Sequence, residues 1–174
     1  MSHALLSISG RDRAGIVRDV AEAMLHLEAN IEDSSMTALR GRFTMMLIVR
    51  LPRKVSLVDL NAALAELEQR SGLTIQAQPL SEDEVAVEGL EPDCVITVHG
   101  GDRMGIVYEV SRVLAEHDVS IVDLSTQLRG RDVYLMVLEA HAGAKVDTLR
   151  RALAAASEKL GVDIEVHRLD TDVL

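Results

Sequence analysis

The sequence predicts an α+β protein made of two tandem ferredoxin-like domains, each with the element order βαββαβ. Three observations lead to this prediction: an internal repeat, the same alternation of strand and helix spacing in both copies, and prolines confined to proposed strand ends or the linker. A domain of this kind has a four-stranded antiparallel sheet with both helices on one face. The opposite face of each sheet is left open to solvent or to a partner.

The internal repeat divides the chain into two matched halves. Residues of the first half recur ninety positions later, as in the pairs Ile8/Val98, Gly10/Gly100, Asp12/Asp102, Arg13/Arg103, Gly15/Gly105, Ile16/Ile106, Val17/Val107, Val20/Val110, Ile31/Ile121, Asp33/Asp123 and Ser35/Ser125. After one deletion the offset is 89, so that Leu39 corresponds to Leu128 and Gly72 to Gly161. We expect domains at residues 1–80 and 93–174, joined by an acidic linker at 81–92.

The elements of the first half follow from the spacing of its apolar residues. Alternation predicts a strand at residues 4–8, and a helical period predicts a helix from Ile16 to Met24. Strands at about 31–39 and 43–51 form a hairpin around the turn at 40–42. A second helix follows, which Gly72 ends, and residues 73–80 form the last strand. The leucines that mark this helix are Leu57, Leu60, Leu64 and Leu67.

The second half repeats this order. Strands are predicted at residues 94–98, 121–128, 133–138 and 162–169. Helices are predicted through 106–114 and 146–160. The two halves therefore have the same predicted fold.

Composition indicates a folded protein and argues against several classes of function. Hydrophobic residues make up 48% of the chain, which is enough for packed cores. The formal net charge is −10 and no basic face with interleaved aromatics is visible, so we expect no direct contact with nucleic acid. The six histidines show no metal-ligand spacing, so we expect neither a metal nor a cofactor.

The remaining compositional signals concern location. The N-terminal apolar stretch ends at Ser9 and Gly10 and no apolar run long enough to cross a membrane follows, so we expect neither a signal peptide nor a membrane span. Cys94 is the single cysteine, so no disulfide forms within the chain, and it lies in an apolar run. We expect a cytoplasmic protein that does not contact membranes.

The loop between the first strand and the first helix of each half is the candidate ligand-binding segment. Amides at a helix start lack intrahelical acceptors and can receive a carboxylate or phosphate. Gly15 and Gly105 leave room for a ligand to approach this backbone. The alternative is that Asp12 and Asp102 cap the helices and that the glycines serve only turn geometry and packing.

Asn30 and Ser120 follow these glycines by fifteen residues, where the first helix ends and the second strand begins. Helix geometry and the return into the sheet can bring this position beside the loop. The alternative is a turn former with a left-handed backbone, which suits Asn30 better than Ser120.

The run Asp-Arg-x-Gly-Ile-Val, followed by Asn30-Ile31, resembles the ACT domain. Two tandem copies with little else resemble the glycine-cleavage-system transcriptional repressor family, and the likeness covers nearly the whole chain. It implies a module that binds a small amino acid, for instance glycine or serine, through the loop amides, a polar loop side chain and the Asn. The ligand contacts that it implies are Asp12, Ala14, Gly15, Ile16 and Asn30, with Asp102, Met104, Gly105, Ile106 and Ser120 as their second-half counterparts.

The chain departs from the family pattern at two places. Ala14 and Met104 replace the usual Pro between Arg and Gly, which removes some preorganisation of the helix start and adds an N–H donor. Ser120 replaces the usual Asn in the second half. The first half is therefore the better candidate site.

The resemblance implies a regulator, and not an enzyme, that senses an amino acid and acts on a protein partner. That partner is expected to be a transcription regulator of amino-acid metabolism, such as glycine cleavage, and the chain is expected to form a homo-oligomer. Two alternatives stay open: a ligand-free oligomeric interaction module, and an acylphosphatase-like enzyme. The enzyme would need an arginine and an asparagine placed together, for which Arg11, Arg13 and Asn30 are the candidates, and its characteristic loop sequence is missing.

Overall fold

Each half of the chain folds into a four-stranded antiparallel sheet with two helices, in a computed structural model that describes residues 2–130 and 133–169. The predicted fold class is confirmed. The chain divides into two compact units with the boundary between Glu88 and Gly89.

The first unit contains four strands and two long helices. Its strands are β1 (Ser2–Arg11), β2 (Asn30–Leu39), β3 (Arg42–Leu51) and β4 (Thr74–Leu80), and its helices are α1 (Ile16–His26) and α2 (Leu57–Ser71). The sheet order is β2-β3-β1-β4, so β2 and β4 are edge strands. Pro79 lies in β4, and an edge strand is the place in a sheet where a proline is tolerated. A short helix, α3 (Glu82–Val85), lies in the acidic segment that follows.

The second unit repeats this arrangement. Its strands are β5 (Cys94–Gly101), β6 (Ser120–Arg129), β7 (Val133–His141) and β8 (Val162–Arg168), in the order β6-β7-β5-β8. Its helices are α4 (Ile106–Glu116) and α5 (Val146–Leu160), and a 3₁₀ turn at Gly143–Lys145 precedes α5. Strands β1 and β5 extend two or three residues beyond their predicted ends.

One-sided burial explains the strand patterns. In β1, the buried residues Ala4, Leu6 and Ile8 alternate with residues that are partly exposed or exposed. The helices bury apolar residues in the same core, namely Ile16, Val20, Ala23 and Met24 from α1 and Leu60, Leu64 and Leu67 from α2. Full burial of one such aliphatic side chain contributes about 1.5–3 kcal/mol. The second unit has its own core of the same design.

Helix α2 begins and ends at residues suited to those positions. The hydroxyl of Ser56 accepts the N–H of Asp59 at 3.2 Å, and the Asp59 carboxylate accepts the N–H of Ser56 at 2.8 Å. At the other end Gly72 adopts a left-handed conformation with φ 70°, and its N–H donates to the carbonyl of Glu68.

Gly10 and Gly100 occupy matching positions, but a methyl group added at Gly10 would meet different surroundings from one added at Gly100. A Cβ on Gly100 would lie 2.7, 3.0 and 3.1 Å from Cγ1, Cβ and Cα of Val162, whereas a Cβ on Gly10 would meet the Cδ2 end of Leu73 at 2.6 Å. The Leu73 side chain can rotate away, but the β-branched stem of Val162 cannot. We expect Gly100→Ala to lower the free energy of unfolding by about 1–3 kcal/mol, and Gly10→Ala by clearly less. Denaturant unfolding measures both variants, and equal losses would contradict this explanation.

Candidate functional site

The loop after the first strand ends in a left-handed glycine in both units. Gly15 is the N-cap of α1, with φ 88° and ψ 0°, and Gly105 is the N-cap of α4, with φ 91° and ψ −1°. No side chain caps either helix. The alternative that Asp12 and Asp102 serve as helix caps is therefore wrong, because the glycine three residues later occupies the cap position.

The missing cap leaves backbone donors at each helix start. The Gly15 carbonyl accepts the first helical hydrogen bond from Asp19 N–H at 3.0 Å, and Gly105 accepts the equivalent bond from Glu109 at 2.9 Å. Within the described residues, the amides of Ile16 and Val17 have no acceptor. The Ile16 side chain is buried in the core, so only its N–H can face a ligand.

The other predicted loop residues are accessible. Asp12, Ala14 and Gly15 are exposed, and so are Asp102, Met104 and Gly105 in the second unit. The N–H of Asp12 donates to the carbonyl of Gly41 at 2.9 Å, which joins the loop to the turn between β2 and β3. The structure thus brings together every predicted contact of the first unit except Asn30.

Two arginines flank the helix start of the first unit. Arg13 and Arg18 each place Nη2 2.7 Å from an oxygen of the Asp19 carboxylate. These hydrogen bonds, from Arg18 and then from Arg13, hold the pKa of Asp19 below its usual value. A Cβ on Gly15 would lie 3.6 Å from Nη2 of Arg18 and 3.8 Å from Nη1 of Arg13, so both guanidinium groups border the loop.

The matching arginine of the second unit has a different acceptor. Nη1 of Arg103 donates to the carbonyl of Leu160 at 3.0 Å, at the last residue of α5. Met104 and Tyr108, both exposed, stand where the first unit has Ala14 and Arg18. The second helix start therefore has fewer cationic groups beside it.

Glu109 occupies the position that corresponds to Asp19 and is the one buried charged residue within the described part of the chain. Its carboxylate accepts hydrogen bonds from Arg112 at 2.8 Å and from Lys159 at 2.7 Å. These bonds lower the pKa of Glu109 to about 2. Sequence reasoning missed this cluster, because its members resemble ordinary surface charges on α4 and α5.

Tyr134 is a second residue that the sequence did not single out. It is partly buried in β7, directly opposite Gly100 at the start of the second loop. Burial, together with the negative charge of Asp102, raises the pKa of its hydroxyl. The first unit has Phe43 in the corresponding place, opposite Gly10, and Phe43 has no hydroxyl, so the two loops also differ in what lies beside them.

Asn30 lies far from the loop of its own unit. It is opposite Arg50 in the sheet, and Arg50 is opposite His3, whereas the loop follows Arg11. From His3 to Arg11 there are eight residue steps, or roughly 26 Å at about 3.3 Å per step. The expectation that the helix brings Asn30 beside the loop is therefore wrong within one unit, because α1 runs back to the other end of the sheet.

Ser120 is placed in the same way, opposite His141 and away from its loop. The alternative in which Asn30 is a left-handed turn residue is also wrong. The left-handed residues of these connections are Glu28, with φ 52°, and Asp118, with φ 49°. The assignment of Asn30 and Ser120 as ligand contacts remains a prediction.

The described residues provide little support for metal binding, for membrane insertion or for a reactive thiol. Across residues 2–130 and 133–169, no three His, Cys, Asp or Glu side chains are grouped so as to hold a metal ion. No helix there is long and apolar enough to span a bilayer. Cys94 is fully buried, and this burial raises the pKa of its thiol to about 11.

Comparison with known protein families identifies the family to which the two units belong. The model of the ACT domain matches residues 2–78 and 93–167, which correspond to the two βαββαβ units. The chain belongs to the ACT domain family. ACT domains generally bind amino acids for regulation, and here the two ACT domains contain the two uncapped loops.

The ACT relatives match one domain's length at a time. The UPF0237 protein MK1213 of Methanopyrus kandleri is 44% identical over 79 residues, which is 44% of this chain and 87% of that protein. The UPF0237 protein MJ1558 of Methanocaldococcus jannaschii is 40% identical over 78 residues, again 44% of this chain and 87% of the relative.

Two solved structures match nearly the whole tandem ACT chain. A protein of unknown function from Galdieria sulphuraria has a TM-score of 0.77 and 29% identity, over 97% of this chain and 99% of its own. A candidate glycine cleavage system transcriptional repressor has a TM-score of 0.73 and 18% identity, over 98% of both chains. At that identity the second likeness establishes the shared fold.

Proposed function

We propose that the protein is an amino-acid-sensing regulator that controls a partner protein by contact. The proposed partner is a transcription regulator of amino-acid metabolism, such as one that governs glycine cleavage. Membership of the ACT family and the fold shared with a candidate glycine cleavage repressor support this function.

The observation that carries the proposal is the uncapped start of α1. The free amides of Ile16 and Val17, at the positive end of the helix dipole, form a favourable position for a carboxylate. Arg13 and Arg18 add positive charge beside the same backbone, and the exposed Asp12 carboxylate can accept an ammonium group. These three features complement the two charges of an amino-acid zwitterion, and they favour the first unit as the sensing half.

The size of the ligand limits its affinity. Glycine has about five non-hydrogen atoms, and a ceiling near −1.5 kcal/mol for each gives a dissociation constant of about micromolar or weaker. An affinity in this range suits a sensor of free amino acids. Binding must also favour one state of the protein, because a ligand with equal affinity for two states shifts neither.

Isothermal titration calorimetry of the 174-residue chain with each amino acid tests the proposal. We expect heat with glycine or serine, and none with glycinamide, which lacks the carboxylate that the helix amides would bind. Folded protein that gives no heat with any amino acid would contradict the sensing function and favour a ligand-free interaction module.

The acylphosphatase-like alternative has no observation in its favour. Such an enzyme needs an arginine and an asparagine placed together, but Asn30 lies roughly 26 Å along the sheet from Arg11, and Arg13 lies in the loop that follows Arg11. Release of phosphate from an acyl phosphate would revive this alternative.

A further inference from the structure

Five exposed arginines lie at the loop end of the first unit. They are Arg11, Arg13, Arg18, Arg40 and Arg42. Residues 11–19 and 40–42, which contain all five, include two acids, Asp12 and Asp19, so these two segments have a combined charge of +3. The whole chain has a formal net charge of −10. A local basic surface therefore stands on an acidic protein.

Three of these arginines lack an acidic partner. The two beside the helix start both contact Asp19. Within the described part of the chain, no hydrogen bond or ion pair involves the guanidinium groups of Arg11, Arg40 or Arg42. Arg11 and Arg42 are directly opposite each other in the antiparallel ladder of β1 and β3. Like charges at opposite positions destabilise a sheet, so an anion bound there would relieve the repulsion.

An exposed leucine lies on the same face of the sheet. Leu39 of β2 is directly opposite Arg42 and is 66% exposed. A row of side chains thus crosses three strands, from Leu39 through Arg42 to Arg11, on the face away from the helices. The next residues along two of these strands, Gly10 and Phe43, are buried on the helix-covered face. We call Arg11, Leu39, Arg40 and Arg42 the arginine surface.

The second unit does not repeat this surface. Gly101 and Val133 are directly opposite each other at the place of the opposed arginines. The neighbouring residue of β6 is Arg129, and it contacts the Gln127 side chain at 3.4 Å. The arginine surface therefore belongs to the first unit, whose loop is also the favoured sensing site.

Exposure and charge favour a protein segment as the ligand of the arginine surface. All four of its residues are exposed, whereas sites for small ligands are concave and bury most of the ligand. The chain outside residues 11–19 and 40–42 has a net charge of −13, because the whole chain has −10 and these segments +3. That charge repels a long polyanion, and the one aromatic residue of the first unit, Phe43, is buried and cannot stack on a base. Carboxylates on a short protein segment contact this end alone, and guanidinium groups bind them with two parallel hydrogen bonds.

We propose that the arginine surface docks an acidic segment of the partner protein, with an apolar side chain of that segment against Leu39. The inference rests on the proposed function, which calls for such a partner. The N–H of Asp12 donates to the carbonyl of Gly41 at 2.9 Å. The loop that binds the amino acid and the turn that contacts the partner are therefore joined by a hydrogen bond, through which one contact can influence the other.

Fluorescence anisotropy with a labelled octaglutamate peptide tests the docking surface before the partner is identified. We expect the 174-residue chain to bind this peptide at about 20 mM NaCl and much more weakly at about 150 mM, because salt screens exposed charges. Arg11→Gln and Arg42→Gln should each raise the dissociation constant about threefold, and the double variant about tenfold, as the contributions of exposed ion pairs imply.

The double variant Arg53→Gln, Lys54→Gln is the matched control. It removes two exposed positive charges just beyond Leu51, which is opposite Ser2 at the other end of the sheet. Peptide binding should be unchanged in this control, and an octaglutamine peptide should not bind the wild-type chain.

Two further measurements separate docking from folding. Arg11→Gln and Arg42→Gln should unfold at a temperature no lower than wild type, because each removes a repulsion between like charges. Arg40→Asn changes the turn outside the strands, at a residue with φ 48° that asparagine tolerates. It should also raise the dissociation constant of the peptide about threefold.

Three results would overturn the docking surface. The first is a wild-type chain that does not bind octaglutamate at about 20 mM NaCl. The second is a control variant that weakens binding as much as the Arg11→Gln, Arg42→Gln variant does. The third is tighter binding of tripolyphosphate or of octathymidylate, measured by competition, which would assign the surface to a phosphate-bearing ligand.

Failure of the sensing function has a separate signature, because calorimetry with amino acids does not involve the peptide. Heat with glycine or serine but no peptide binding would overturn the docking surface alone. Peptide binding that the arginine variants weaken, without heat from any amino acid, would support the docking surface and contradict the sensing function.

Discussion

Replacing Gly15 with alanine is expected to abolish measurable amino-acid binding at the first unit. Gly15 has φ 88°, a conformation that costs a residue with a Cβ about 1–2 kcal/mol. The added methyl group would also lie 3.6–3.8 Å from the guanidinium groups of Arg18 and Arg13, where we propose that the ligand carboxylate binds. Calorimetric titration with the amino acid that gives the strongest heat with wild-type protein measures the loss.

Gly72→Ala is the matched control for this substitution. Gly72 has φ 70°, and a Cβ there would have no atom within 4 Å, so the backbone strain is similar and the loop is untouched. We expect Gly72→Ala to reduce stability by a similar amount and to bind the amino acid normally. Equal loss of binding in both variants would show that Gly15 acts through stability alone, and unchanged binding in Gly15→Ala would place the ligand elsewhere.

Glu109→Gln is expected to destabilise the second unit at neutral pH and progressively less in acid. The substitution leaves Lys159 without its carboxylate and removes one of the two acidic partners of Arg112. Only the Glu109 carboxylate is buried, while the Lys159 and Arg112 side chains are 67% and 36% exposed, so the substitution replaces charge-assisted hydrogen bonds with weaker neutral ones. Hydrogen exchange at the amides of α4 and α5 measures the effect within the second unit.

The direction of the pH effect follows from the lowered pKa of Glu109. Its value is about 2 in the folded protein against 4.5 ordinarily, so between these values the unfolded chain binds more protons. The stabilisation is therefore complete above about pH 4.5 and is lost as the pH falls towards 2. Glu158→Gln, an exposed residue on the same helix as Lys159, changes the net charge equally and should show no such trend. A wild-type advantage that grows in acid would contradict this explanation.

The sequence predicts the elements well because each strand and helix buries one side. Ala4, Leu6 and Ile8 lie on the buried face of β1, and the alternation that marks them is the direct result. Strand ends are less visible, because Arg11 continues the ladder opposite Arg42 through backbone pairing that leaves no apolar signal. The pattern therefore reports the buried centre of a strand better than its ends.

The candidate site is only partly visible in the sequence for a related reason. The loop residues Asp12 to Ile16 are contiguous, so their repetition in the second half suffices to find them. The position of Asn30 depends on strand register, which is decided by contacts between distant segments. The Glu109 cluster joins residues fifty positions apart, and nothing in the local spacing connects Glu109 to Lys159.

The two arginines of the repeated motif show that an unchanged residue can acquire a different role after duplication. Arg13 is a counter-ion within its own helix start, while Arg103 joins the loop to the final turn of α5, beside Gly161. An alignment of the two halves scores this position as identical. If Arg103 were given the contacts of Arg13, the Leu160 carbonyl would lose its hydrogen-bond donor and would need a new one, although the arginine itself is already present.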